Sequence, residues 1–582
     1  MLQIDPTRSW ITIQQRFENE GDGFLSISLP AMQDSFIESL ATGRWVSSRL
    51  WKERLGGPVF LQEYLRLIFD YGSSDLELRN DCSAFAVKSV RQILGLNGKV
   101  KALPSRARQD KAVERFFSNE EKLRESRKAI IEATQDPIFD RVVSVLLGQV
   151  FSSAEKRLLS DSFHYKHGPG STSGGYFGIR KWEAARKGWT SRLERQFDVS
   201  SLYLTYSDLA SDSLLTLPGV ISPRDEPPMK VTLVPKTAKT PRIIAMEPPA
   251  MQWAQQHIHG TLLETVLSQA LPKRSIDWTD QERNRSLARI GSIDGELSTL
   301  DLSDASDLLH VSVVSRMLRK HRVLRDATFA CRTTTADFNG RLVRLEKFAP
   351  MGSALCFPFE TMAFWVIATI GALRARRPDQ ITKRVILNTA RKISVYGDDI
   401  IAPTHSAPDI ADELARFGLV VNGRKSFWNG NFRESCGADF FRGFDVTYVK
   451  IRDEIPDNIG RQEGLASYIE TQNRFFEHGF VVTSEWMIER SPVRLASFRF
   501  DQKQELVFLS DTYSGVSWDE RLFVIIGKMA TRRVKHTTSS QYEQDRLLNW
   551  FINKNDEPQE PILPLVGRSQ VVNLRFRTSP LE

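Results

Sequence analysis

"RKISVYGDDIIAPTH", residues 391–405, sets Asp398 and Asp399 side by side between two apolar runs. Ile393 and Val395 before the pair, and Ile400 and Ile401 after it, suit two buried strands, while Gly397 and the aspartates suit a tight turn joining them. Two carboxylates at the mouth of a hairpin repel each other unless a divalent cation sits between them. A pair of Mg²⁺ ions roughly 3.5–4 Å apart, the arrangement used for in-line phosphoryl displacement, needs further oxygen ligands from elsewhere in the chain.

Upstream, "TLDLSDASD" supplies a third carboxylate, Asp301, at the end of an apolar strand. Asp304 and Asp307 follow in a turn, where helix capping is the plainer reading, favoured for Asp304. Before them, "VPKTAKTPR" spaces Lys236, Lys239 and Arg242 at steps of three in an extended or looped segment. That spacing can meet successive phosphates of a triphosphate; a simple basic loop is the alternative. Beyond the hairpin, Lys425 in "NGRKSF" is a candidate proton donor to a leaving pyrophosphate.

"HGPGSTSGGYFG" (167–178) lacks the Gly-Lys-Ser/Thr ending of a P-loop and reads equally as an ordinary loop or one that touches nucleic acid. The segment after it interleaves Arg180, Lys181, Arg186 and Lys187 with Trp182 and Trp189. It is either an RNA-binding helix or a surface helix whose tryptophans enter the core.

A chain of 582 residues exceeds what one hydrophobic core organises, so two or more lobes around a cleft are expected. With 41% hydrophobic and 26% charged residues it is globular, and its net charge of +8 favours an anionic partner such as nucleic acid without requiring one. Cys82, Cys331, Cys356 and Cys436 are far apart, which argues against a zinc ribbon or a disulfide framework and fits a reducing compartment. The first residues lack the apolar core of a signal peptide. The longest apolar run, "TMAFWVIATIGAL" (361–373), falls short of the ~20 residues that span a bilayer and reads as a buried helix.

Periodicity makes residues 1–160 mostly helical, including "FLQEYLRLIFDYG" and "FDRVVSVLLGQVF". "MKVTLVPKTAKTPRIIAMEPPAMQ" reads as strand, turn, strand, and "ADFNGRLVRLEKF" as a hairpin turning at Asn339 and Gly340. "STLDLSDASDLLHVSVVSRMLRK" reads as a strand entering one helix whose apolar face includes Leu308, Val311, Val314 and Leu318. The last 130 or so residues look helical and aromatic, with a basic cluster at 531–536.

The succession of basic strip, strand ending in Asp301, "PMGSALCFPFE", Gly-Asp-Asp hairpin and Lys425 resembles the palm of the RNA-templated RNA polymerases of RNA viruses. More narrowly, "MGSALCFPFE", "VYGDDII", "NGRKSF" and "FRESCGADFF" with "GFDVT" are similar to the catalytic (beta) subunit of the replicases of single-stranded RNA bacteriophages, the Qβ-like leviviruses. The likeness covers roughly residues 167–450 and departs from the family at Asp304, where a small residue is expected, and at Ser353, where relatives can carry Asn.

The resemblance implies an α+β right hand: an N-terminal helical fingers region (1–165), fingers with the basic strip (166–295), a palm of antiparallel sheet and helices (296–450, with a finger insertion at about 325–350), and a thumb and C-terminal region (451–582). It implies RNA-templated RNA synthesis for phage genome replication, with two Mg²⁺ ions, or Mn²⁺ in their place. Asp301 and Asp398 would be the principal metal ligands and Asp399 a supporting one. Lys236, Lys239 and Arg242 would grip the triphosphate, and Lys425 would act as general acid. Asp307 and Ser353 would sense the ribose 2′ hydroxyl, and Gly352 would admit template or ribose close to the backbone.

Implied partners are RNA template and product, nucleoside triphosphates, host elongation factors Tu and Ts and a host ribosomal RNA-binding protein, in the cytoplasm of an infected bacterium. A reverse transcriptase is the nearest rival, since it too places paired aspartates on a hairpin. A non-catalytic RNA-binding protein with a degenerate palm is a second; the intact Asp301, Asp398 and Asp399 argue against it.

Overall fold

The computed structural model describes residues 4–54, 57–73, 75–101, 104–160, 167–168, 170–176, 180–197, 220–453, 455–456, 462–498, 506–512, 514–521, 524–534 and 572–580. It is an α+β protein. The strands that build the site are β1 (Met229–Val234), β2 (Arg242–Met246), β3 (Leu297–Leu300), β4 (Leu302–Ser303), β5 (Thr335–Phe338), β6 (Arg341–Arg344), β7 (Ser394–Tyr396), β8 (Asp399–Pro403), β9 (Val420–Val421), β10 (Phe432–Ser435) and β11 (Ala438–Phe441).

The basic strip is the connection between β1 and β2, which pair antiparallel with Val234 opposite Arg242. Asn339 and Gly340 both take positive φ, the requirement of a type I′ turn, and close the β5–β6 hairpin. β5 then pairs parallel with β1, giving one four-stranded sheet in the order β2-β1-β5-β6. A second sheet has the order β3-β8-β7, so the strand ending at Asp301 lies directly against the Gly-Asp-Asp hairpin.

Beneath this sheet lies the helix Cys356–Gly371, buried along its length except at Phe357. Apart from Glu360 and two threonines it is apolar all round, because protein surrounds it. One continuous core runs from Leu123, Phe139 and Phe151 through Trp189 and Trp253 to Trp365, Ile400 and Leu419. A second joins Phe24, Phe36, Leu40 and Leu94 to Phe427, Phe432, Phe441 and Val446. The N-terminal segments therefore share their cores with the central sheets. Among the described residues no helix is long and apolar enough to cross a membrane, and all four cysteines are free thiols.

Three readings of secondary structure are corrected. "FLQEYLRLIFDYG" is helical only at Gln62–Leu65. Past Leu65 the chain turns and pairs with Glu77–Arg79, through Asp70 N to Glu77 O and Arg79 N to Ile68 O. The helix after Asp301 is two short helices, Ala305–Leu308 and Val311–Met317. The break falls where residues 346–348 take up the backbone groups of Leu309 and Val311 and where the His310 ring caps the second helix. The C-terminal third is not simply helical. After the helices Gln462–Glu477 and Val481–Glu489 come strands Val516–Asp519, Val524–Val534 and Val572–Pro580 in one antiparallel sheet. The basic cluster at 531–536 lies partly on the middle strand of that sheet, with its side chains outside the described residues.

Candidate active site

Tyr396 pairs with Asp399, leaving Gly397 and Asp398 as a two-residue hairpin loop. Gly397 has φ +60° while Asp398 does not take positive φ, which is what a type II′ turn asks of its two loop residues. A Cβ on Gly397 would also come within 2.3 Å of the Phe357 ring, and its amide donates to Thr361 Oγ1 at 3.1 Å. The buried helix thus fixes the loop from below. Phe357 also meets Tyr396 edge-on, with ring centroids 5.1 Å apart.

Opposite, β8 pairs with β3 in the register Ile400 to Leu300, which puts Asp301 across from Asp399 at the end of the ladder. Asp301 marks the point where the chain leaves β3 and pairs next, as β4, with β9. Residues 422–427 hold it there. Asn422 N donates to Asp301 O at 2.8 Å, Asp301 N to Ser426 Oγ at 3.0 Å, and Phe427 exchanges backbone bonds with Thr299. The same segment delivers Asn422 Nδ2 to Asp301 Oδ2 at 2.8 Å and Lys425 Nζ to Asp301 Oδ1 at 3.5 Å.

The electrostatics are those of carboxylates crowded beyond comfort. Burial, with Asp398 adding to it, raises the Asp301 carboxyl above its ordinary range, and Lys425 and Asn422 offset part of this. Asp399 is pushed up to about 7, first by burial and then by Asp398 and Asp301, although Cys436 N donates to its Oδ2 at 3.1 Å. Glu434 on β10 is a further carboxyl in the group, raised by burial and by Asp439. Lys425 responds in the opposite sense. Burial works against its charge, but Glu434, Asp301, Asp398 and Asp399 more than compensate and hold it as an ammonium.

These residues suit a hard divalent cation, since every carboxyl in the group offers oxygen. Among the described residues no three carboxyl, imidazole or thiol groups already stand in a metal-binding arrangement. Mg²⁺ does not require one. It is typically held by one or two carboxylates and completes its shell with substrate phosphates and water.

Of the basic strip, Lys236 lies close enough to Asp301 and Asp398 to feel both. The surrounding protein and its cationic neighbours Arg242 and Lys425 lower its pKa. Lys236, Lys239 and Arg242 are all exposed.

Several expected roles change. Asp304 does not cap a helix with its side chain. It takes φ +52° and accepts bonds from Arg115 Nε at 2.5 Å and Asn119 Nδ2 at 3.1 Å, both on the long helix Arg106–Gln135. Gly352 is exposed, and its lack of a side chain serves packing against the protein's own backbone. At φ +121° its Cβ position lies 2.1 Å from Ala245 O, so the space is already filled by β2, whose Ala245 N bonds Met351 O. Ser353 is buried, and its hydroxyl donates to Gln255 Oε1 at 3.0 Å, which leaves it unexposed to a sugar. Asp307 is partly exposed and bound by Lys347 Nζ at 2.8 Å.

Lys181 is buried and donates to the carbonyls of Gly168 and Gly170, so it ties down the glycine-rich stretch and is not free to meet phosphate. Trp189 is wholly in the core. Lys187 is exposed, and the side chains of Arg180, Arg186 and Trp182 lie outside the described residues.

Sequence reasoning missed four residues around the site: Asn422, Glu434, Glu247 and Lys347. The first two sit inside motifs already recognised, within reach of Lys425 in sequence. Glu247 is fully buried under the Ser353 turn, where Gln255 Nε2 donates to Oε1 at 2.8 Å and Thr333 Oγ1 to Oε2 at 2.5 Å. Burial drives its pKa up to about 7 despite these bonds.

The chain resembles solved polymerases only loosely. The RNA-dependent RNA polymerase of a human picorbirnavirus matches with a TM-score of 0.33 at 14% identity, over 45% of this chain and 55% of that one. The BmCPV RNA-dependent RNA polymerase at elongation state gives 0.39 at 12%, over 62% and 34%. Similarity in sequence is closer. The RNA-directed RNA polymerase beta chain of Enterobacteria phage fr is 38% identical over 227 residues, that of Escherichia phage MS2 34% over 229, and the beta subunit of Qbeta virus (strain MX1) 35% over 229. Each match spans 39% of this chain and 36–38% of the relative, so well under half of either protein is aligned. A model of the family described as RNA replicase, beta-chain matches residues 158–459, more than half of the chain, and the chain therefore belongs to the RNA replicase beta-chain family.

Proposed function

We propose that this chain is the catalytic subunit of a phage replicase and joins nucleoside triphosphates to an RNA 3′ hydroxyl on an RNA template. The observation that carries the reading is the β3–β8 register, which sets Asp301 against the Asp398-Asp399 turn with Lys425 beside it. The relatives named above are RNA-directed RNA polymerase chains, which supports the choice of RNA as both template and product.

In this reading Asp301 and Asp398 offer oxygen ligands to two Mg²⁺ ions, or Mn²⁺, and Asp399 backs them. Bound there, the cations make the 3′ hydroxyl more acidic and stabilise charge on the transferring phosphoryl group. The chain's own groups do the rest. Lys236, Lys239 and Arg242 bind the triphosphate and orient it for in-line attack. Lys425, kept protonated by the surrounding carboxylates, gives its proton to the departing pyrophosphate. Asp307, at the exposed edge of the turn after Asp301, is the group that reads the ribose 2′ hydroxyl. The divisions into fingers, palm and thumb, and the host partners Tu, Ts and a ribosomal RNA-binding protein in the bacterial cytoplasm, belong to the same reading.

The test is templated extension. Purified protein, alone and with a host extract, is given an RNA template, Mg²⁺ and either ribo- or deoxynucleoside triphosphates. Template-dependent ribonucleotide incorporation that Asp398→Asn abolishes supports the reading. A preference for deoxynucleotides, or full turnover in Asp398→Asn, overturns it.

A further inference from the structure

The turn that follows Asp301 is gripped at both ends by a single helix that lies outside the family match. At one end, Arg115 and Asn119 of the helix Arg106–Gln135 bind the Asp304 carboxylate. At the other, Glu120 of the same helix meets Lys347 Nζ at 3.1 Å, and that ammonium meets Asp307 Oδ1 at 2.8 Å. Lys347 is fully buried and Glu120 is 1% exposed, whereas Asp307 keeps 21% of its side chain accessible. The chain of contacts thus runs from a sealed ion pair to a carboxylate that is partly open to solvent.

Such an arrangement is not needed to fill space. Two buried charges are costly to desolvate, and an apolar pair of similar size serves stability as well or better. The site is also built to hold Lys347 in one pose. Its Nζ lies 3.7 Å from the centroid of the Phe116 ring, and Glu120 Oε2 accepts from the backbone amides of Glu346 and Lys347. Burial disfavours the ammonium, but Asp307 and Glu120 outweigh it and keep the charge.

We propose that Lys347, clamped between Glu120 and Asp307, is a positioning residue for sugar selection: it occupies Oδ1 of Asp307 and leaves the other carboxylate oxygen aimed at the ribose 2′ hydroxyl. The inference rests on the polymerase reading above and deepens it. Through Glu120, the N-terminal long helix takes part in choosing ribonucleotides over deoxynucleotides.

The experiment measures the ratio of ribo- to 2′-deoxynucleotide incorporation by the full chain on one RNA template. Lys347→Met is expected to lower that ratio tenfold or more, with ribonucleotide incorporation falling less than the ratio does. Because Lys347→Met leaves Glu120 buried and unpaired, Lys347→Met/Glu120→Gln is read alongside it, with the same loss expected. In an Asp307→Asn background, Lys347→Met is expected to add no further loss of selectivity. A merely structural role slows both sugars equally; an unchanged ratio in the variants, or a wild-type chain indifferent to the sugar, overturns the proposal. Absence of any templated extension by the wild type, with or without host extract, instead overturns the polymerase reading.

Discussion

Asp301 and Asp399 stand across from each other on adjacent antiparallel strands because Ile400 pairs with Leu300. A slip of one residue would turn one of the two carboxylates to the opposite face of the sheet. Asp398, in the loop, is the member of the trio set by turn geometry alone. On the proposed function, Asp398→Asn removes a charged metal ligand at the cost of one atom's identity. Losing roughly 4 kcal/mol of charge stabilisation corresponds to about a thousandfold in rate. Nucleotide incorporation is expected to fall at least that far, with RNA binding, read by filter retention or anisotropy, close to wild type.

Crowded carboxylates also predict a thermal signature. A cation that binds only the folded chain at 100 times its Kd adds about 2.7 kcal/mol of stability. Mg²⁺ is therefore expected to raise the melting temperature of the wild type, and EDTA to reverse the gain. Asp301→Asn should show little of it. An equal Mg²⁺ response in Asp301→Asn would mean that the ion binds elsewhere.

Glu247 predicts a dependence on pH. Its ordinary pKa near 4.5 is raised to about 7 in the folded chain. Between those values the folded state holds a proton that the unfolded state has released. Stability contributed by this group is therefore present below pH 4.5 and is lost as pH rises toward 7. Glu247→Gln, which keeps the shape and can still accept from Thr333, is expected to flatten the fall in melting temperature between pH 5 and 8 and to raise it at pH 8. A variant whose pH profile overlays that of the wild type removes Glu247 from this role.

Gly352 makes a steric prediction. Alanine there would place Cβ 2.1 Å from Ala245 O at a φ of +121° and push β2 away, taking Arg242 with it. Strain of this kind costs ~1–3 kcal/mol before the clash is counted. Gly352→Ala is expected to lower the melting temperature and to raise the KM for nucleotide. Gly260→Ala, in a helix interior with nothing within 4 Å, is the control and is expected to gain roughly 0.5–1 kcal/mol. Equal tolerance of both substitutions would contradict the packing described for β2.

What the sequence disclosed follows the range of the physics. Turns are local, so Gly397-Asp398 and Asn339-Gly340 were legible from neighbouring residues, as were the strands that flank them. The Asp301 strand and Lys425 were legible because each lies in a short motif of its own. Contacts closed by distant segments were not. Nothing near Lys347 in the chain announces Glu120, 227 residues away by the Lys347 N contact, and nothing near Glu247 says that Thr333 and Ser353 will seal it from water. Gly352 was recognised as special, yet only the fold shows that the backbone pressing on it is the protein's own. The break at Leu309 and His310 was hidden because the apolar period runs on past it, while the backbone bonds that end the helix come from residues 346–348.

The apolar cluster that joins Phe24, Phe36 and Leu40 to Phe427, Phe432 and Phe441 bears on how this lineage can recombine. Most of that cluster lies before the family-matched region, and Phe427, Phe432, Phe441 and Val446 lie within it. An exchange between two related phages with its crossover near residue 150 would pair one parent's N-terminal rings with the other's β10–β11 hairpin. Such hybrids inherit the family-matched motifs intact on mismatched foundations, and those that carry both parts of the cluster from one parent keep the packing on which the motifs stand.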